Sequence, residues 1–66
     1  MAVVKVIELM ADSNESWEDA TKKAIAKAAE TLSNIKSAWV QDQSVTVKNG
    51  KVEEFRISLK VTFEVR

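Results

Sequence analysis

The sequence contains no cysteine, histidine, proline or tyrosine. Disulfides, thiolate zinc sites and imidazole ligands are therefore excluded, and only hard-cation sites built from oxygen remain available. The same absences remove the common nucleophiles and the near-neutral general bases, so no enzymatic activity is expected. A single glycine leaves little irregular loop on which to mount an active site. Neither sign of charge is in excess: ten basic residues face ten acidic ones. No long-range field draws the chain to nucleic acid or to an anionic membrane, and neither is expected as a partner. No apolar run approaches the roughly 20 residues needed to span a bilayer. The start, Met1-Ala2-Val3-Val4-Lys5, lacks the basic-then-apolar layout of a signal peptide, which makes the expected location cytoplasmic.

The chain has 66 residues, read as one domain over 1–66. A domain this short buries roughly 60% of its unfolded surface. The usual supports at this size are disulfides, a structural metal or association with copies of itself. With the first excluded and the second restricted to oxygen ligands, a homo-oligomer is the expected state.

Residues 3–10, VVKVIELM, are β-branched and aliphatic with no internal turn signal, which predicts a strand with a buried face. Ala11 to Glu15 is polar and reads as a loop. Ser16, with Asp19 three residues on, resembles a capping box, and Glu18 adds negative charge near the positive helix terminus, so a helix is predicted to start near Trp17. Trp17, Ala20, Ala24, Ile25, Ala28, Leu32 and Ile35 recur at three- and four-residue steps, with charged residues opposite. The apolar stripe is mostly alanine and permits close approach to a sheet; Trp17 is expected in the core. Ser33-Asn34 and Lys36 close this helix, and a β pattern opens around Ser37 to Trp39.

Lys48-Asn49-Gly50-Lys51 is a hairpin signal, because Asn-Gly readily supplies the two left-handed residues of a type I′ turn. A two-residue turn pairs Val47 with Val52, Gln43 with Arg56, Val40 with Leu59, Trp39 with Lys60 and Ser37 with Thr62; a bulge in the first strand of the hairpin would shift its far end. In the last strand Phe55, Ile57, Leu59, Val61, Phe63 and Val65 alternate without exception with polar residues ending at Arg66, so one face packs on the helix. Extended from Lys51 to Arg66, that strand spans about 50 Å at roughly 3.3 Å per residue. A lone globule of this length is about 28 Å across, so the far end of the strand is expected to pack on neighbouring subunits, which also shields its edge. The fold class is α+β, a compact βαββ unit with one amphipathic helix, antiparallel in its hairpin. The pattern leaves open which strand lies beside the first one.

The order VIEL, polar loop, SWEDA, alanine-rich helix, NGKV at a turn and FRISLKVTFEVR resembles the dodecin family over essentially the whole chain. The resemblance implies a sheet wrapped around the helix and twelve subunits forming a hollow sphere. It also implies a binding and storage role, most dodecins sequestering flavin between tryptophans of symmetry-related subunits. Aligned without gaps, Ser37 stands where flavin-binding relatives carry the stacking tryptophan, and Arg56 where they carry the glutamine that hydrogen-bonds the isoalloxazine ring. A branch of calcium dodecins also lacks that tryptophan and carries an arginine in the strand matching Phe55-Arg56-Ile57. The chain is more similar to that branch, and the alternative function is a structural or calcium-binding dodecin without flavin. Asp42, Glu53 and Glu54 are the candidate calcium ligands, on oxygen chemistry alone; the alternative for the acidic pair beside the turn is a solvated surface.

On the register above, Ser37, Trp39, Gln41, Gln43, Arg56, Ser58 and Lys60 share the face turned away from the helix. Ser37, Trp39, Gln43 and Arg56 are the candidate ligand-binding residues, with FMN or riboflavin the candidate cofactor. A tryptophan on a polar face is costly to leave in water, so Trp39 is expected to meet either another subunit or a flat ligand. Arg56 either pairs with a phosphate or carboxylate of the ligand, or fills the pocket and bonds Gln43 or an acidic neighbour.

Overall fold

Asn49 and Gly50 both adopt left-handed backbone, with φ of 52° and 74°, the pair of conformations a type I′ turn demands. In the computed structural model, which describes residues 3–65, this turn joins β2 (Ile35–Lys48) to β3 (Lys51–Glu64). Before them come β1 (Val4–Ser13) and α1 (Trp17–Ala28). The order across the sheet is β1-β3-β2, with both pairings antiparallel, so β3 is central and is the neighbour of β1 that the pattern left open. Met1 and Ala2 of the expected N-terminal layout, and Arg66 at the end of the alternating run, lie outside the described residues.

β3 carries the core because its alternation matches the pleat: Ile57, Leu59 and Val61 are essentially inaccessible to solvent, and each contributes about 1.5–3 kcal/mol of apolar burial. Ala20 and Ala24 of α1 join them, while Ile7, Leu9, Ala11, Ile25 and Ile35 pack around the cluster. Alanine at Ala20, Ala24 and Ala28, all buried, lets the helix axis lie close over β1 and β3. Trp17 is half-buried against the core rather than enclosed by it. Its ring meets Phe55 edge-on, with centroids 5.2 Å apart at 78°, and its Nε1–H donates to the Ser44 carbonyl at 3.0 Å.

Three features differ from the sequence reading. β1 continues through Ala11, Asp12 and Ser13, which pair with Ile57, Arg56 and Phe55. The Asp12 carboxylate is satisfied by Arg56, distant in sequence, so a local reading scores the segment as loop. Ser13 is buried; its hydroxyl donates to Asp19 Oδ2 at 2.6 Å and accepts from the Glu15 backbone at 3.0 Å. The helix does begin at Trp17, with the Ser16 side chain accepting from the Asp19 backbone N–H at 2.9 Å. It stops at Ala28 instead of running on to Leu32 and Ile35. There the Glu30 and Thr31 amides turn back on the carbonyls three residues earlier, and Asn34 takes a left-handed conformation, φ 63°, which asparagine tolerates better than most residues. Ile35 is thereby delivered into the sheet opposite Phe63.

The third difference is register. Close to the turn Val47 pairs with Val52, and further along Val40 pairs with Leu59, Trp39 with Lys60 and Ser37 with Thr62, as a two-residue turn dictates. Between those stretches the ladder is offset by one, so that Gln43 opposes Ile57 and Ser44 opposes Arg56. Glu53 is the extra residue that opens the offset and Gln41 the one that closes it; Lys36 is extra at a third irregularity. A one-residue slip exchanges the two faces. The molecule measures 50 × 19 × 14 Å, so the hairpin does project beyond the helix that covers its base. Among the described residues no helix is long and apolar enough to cross a membrane.

Candidate functional site

The sheet has a helix side and an open side. Directly paired residues in an antiparallel ladder share a side, and the even-numbered residues of β3 from Arg56 to Thr62 lie opposite the core, on the open side. Four rows cross the strands there. The first joins Asp12 of β1, Arg56 and Ser44; the second Met10, Ser58 and Asp42; the third Glu8, Lys60 and Trp39. Ser37 and Thr62 follow in the next row, beside Val6.

Each row has its own chemistry. In the first, the Arg56 guanidinium donates from Nε to Asp12 Oδ1 at 2.7 Å and from Nη2 to Oδ2 at 3.2 Å. This two-point grip fixes orientation as well as charge. The Arg56 hydrogen bond holds the Asp12 carboxyl below the ordinary carboxylate range, and Asp12 raises the guanidinium further above its usual value. In the third row, Trp39 keeps 64% of its surface exposed, and the Lys60 ammonium lies 5.4 Å from its ring centroid. Glu8 approaches the same ammonium only to 4.0 Å. In the fourth, the Ser37 and Thr62 hydroxyls share a hydrogen bond of 2.6 Å.

Of the four candidate ligand residues, Ser37, Trp39 and Arg56 come to the open side. Gln43 does not: the offset turns it to the helix side with Ile57, and Arg56 bonds Asp12 instead of Gln43. Gln41, also expected on the open side, is an extra residue at a bulge. The candidate metal ligands do not converge within one chain. Asp42 sits in the Ser58 row, whereas Glu54 is opposite Thr46, about 13 Å further along the ladder at roughly 3.3 Å per residue. Glu53 turns toward Lys48, whose Nζ is 4.0 Å away. Among the described residues no group of three carboxylates is close enough to cage an ion. A separate open, apolar cleft of about 200 Å³ lies at the β1 edge against the helix, lined by Leu9, Met10, Ala11 and Ala24 with Lys23 and Lys27 at its rim.

Two residues of the site were not singled out from sequence. Asp12 falls in a segment that reads as loop. Lys60 was visible in principle, because the hairpin register already sets it beside Trp39.

A protein-family model for dodecin matches residues 3–66. The chain belongs to the dodecin family. This dodecin is 35% identical over 66 residues to the calcium dodecin of Mycobacterium tuberculosis, covering 100% of the chain and 93% of that protein. A crystal structure of calcium dodecin from the same organism superposes with a TM-score of 0.85 at 37% identity, over 97% of this chain and 91% of that one. A mutant form of Thermus thermophilus dodecin superposes with a TM-score of 0.94 at 30% identity, over 100% of this chain and 98% of that one. The βαββ order and the antiparallel three-stranded sheet are therefore the dodecin fold.

Proposed function

We propose that this dodecin is the subunit of a hollow homo-dodecamer that binds and stores a small flat ligand on the open side of its sheet, with no catalytic step. Flavin, the ligand implied by the family role, is the reference compound. The observation that carries the reading is Trp39: a large aromatic face, 64% exposed, standing in a polar row with the Lys60 ammonium 5.4 Å from its ring centroid. Stacking of a planar ring would remove that surface from water, and the indole presents the geometry for it. Trp39 lies two residues from Ser37 on the same side of β2, and so displaces the aromatic platform by about 6.6 Å along the strand. Ser37 and Arg56, already engaged with Thr62 and Asp12, share the open side with Trp39 rather than stack on the ligand.

Assembly has its own support. Val40, Val45 and Val47 of β2 remain 38–63% exposed on the arm that the helix does not cover, an apolar surface of the kind that copies of a chain bury against one another. The test is titration of riboflavin with the protein. Stacking on Trp39 quenches flavin emission, and Trp39→Ala abolishes the quench. Unchanged emission at tens of micromolar protein contradicts the reading, and a monomer or dimer in light scattering contradicts the shell.

A calcium-binding role is the second reading, favoured by the similarity to a protein described as calcium chelating. Since Asp42, Glu53 and Glu54 do not meet within one chain, a site using them has to be completed by carboxylates of a neighbouring subunit. A ligand bound only by the folded assembly raises its melting temperature, so chelator lowers Tm if this reading holds and leaves it unchanged if it does not.

A further inference from the structure

Resting on the stacking reading above, we propose that Lys60 makes this site selective for an anionic ligand: the flat ring held by Trp39 carries a phosphate or carboxylate, which Lys60 leaves the indole to meet. Two cations, Arg56 and Lys60, stand on the central strand within the site, and they differ in commitment. Arg56 is held by both oxygens of Asp12 at 2.7 and 3.2 Å, so its charge is matched and its fork largely occupied. Lys60 has no such partner. Its nearest carboxylate, Glu8, is 4.0 Å away with a side chain 66% exposed, a contact that water and salt screen effectively. The ammonium lies instead over the Trp39 ring at 5.4 Å, and an exposed cation–π contact is weak.

A ring that stacks on this face of Trp39 must move the ammonium aside. A neutral ring returns nothing for the lost contact, and a cationic ring adds repulsion. An anionic substituent replaces it with an ion pair to a strongly hydrated point charge on a flexible stem. The neighbouring rows give the anion a direction. Asp42, in the row on one side of Trp39, repels it, while the row on the other side, Ser37 and Thr62, carries no charge. The ligand is thus oriented with its ring over Trp39 and its anion toward Lys60, Thr62 and Ser37.

Riboflavin and FMN share one ring and differ by a phosphate, so their affinities, read from flavin quenching, isolate the Lys60 contribution. The expected result is FMN bound about fivefold more tightly than riboflavin, the upper end of what an exposed ion pair supplies. Lys60→Met closes that gap, Lys60→Arg retains it, and added salt narrows it in the unsubstituted protein. Equal affinity for the two flavins, or a gap that survives Lys60→Met, overturns the role of Lys60 and leaves stacking on Trp39 intact. Failure of both flavins to be quenched overturns the stacking reading and this inference with it. Should Lys60→Met not assemble, the salt series and Lys60→Arg decide the matter.

Discussion

The two sides of one strand in this molecule obey different rules. On the helix side of β3, Ile57, Leu59 and Val61 are sealed by α1 and β1, and their positions follow from alternation alone. On the open side, Arg56, Ser58 and Lys60 acquire meaning only through what the neighbouring strands set beside them: Asp12, Met10 and Glu8 from β1, and Ser44, Asp42 and Trp39 from β2. The helix side stabilises the chain by removing apolar area from water. The open side is a mosaic of cross-strand rows whose individual contacts are exposed and weak.

That contrast breaks most sharply at Leu59. Its truncation, Leu59→Ala, leaves a cavity under the alanine stripe of α1 and is expected to cost about 2–5 kcal/mol, measured by denaturant unfolding. A loss below about 1 kcal/mol would show that the helix side is not the core. Ser16→Ala removes the side-chain acceptor for the Asp19 N–H and is expected to cost about 1 kcal/mol, read as a lower unfolding midpoint with unchanged slope.

Acid acts on carboxylates at the join of the two sides. Asp19 is held below the ordinary carboxylate pKa first by the Ser13 hydroxyl and then by Lys23; Asp12 is lowered by its hydrogen bond from Arg56. A carboxylate with a depressed folded-state pKa contributes stability that is fully present above its unfolded value, about 3.8, and is lost as pH falls through the folded one. The melting temperature is therefore expected to hold from neutrality to about pH 5 and to decline below it, and Asp12→Asn or Asp19→Asn flattens that decline. Smallest of all is the effect of Trp39→Ala on folding, expected within about 0.5 kcal/mol because the residue serves the open side. A larger loss would make Trp39 a packing residue and remove the distinction between the sides.

Much of the fold is legible in the residues themselves. The alternation of β3, the Asn49-Gly50 turn, the Ser16 cap and the alanine stripe each carry a local physical signal, and each stands where the sequence puts it. The last turns of the helix pattern mislead because Leu32 and Ile35 fit a helical period, yet the chain leaves the helix at Ala28 and Ile35 enters the sheet. The open side was legible only in part. Trp39 opposite Lys60 follows from counting back from the turn, whereas Gln43 does not, since the bulge at Glu53 turns a stretch of β2 over before Gln41 restores it. No local pattern announces a compensating pair of bulges. Asp12 was hidden for a related reason: an aspartate flanked by alanine and serine reads as loop until Arg56, from the far side of the hairpin, gives it a partner.

The decisive measurement is a crystal structure of the assembled protein grown with riboflavin. The expected result is an isoalloxazine ring stacked on the Trp39 indole at van der Waals distance, with Arg56 still bound to Asp12. A Trp39 ring packed against side chains of a neighbouring subunit, with no room for a ligand over either face, would contradict the account.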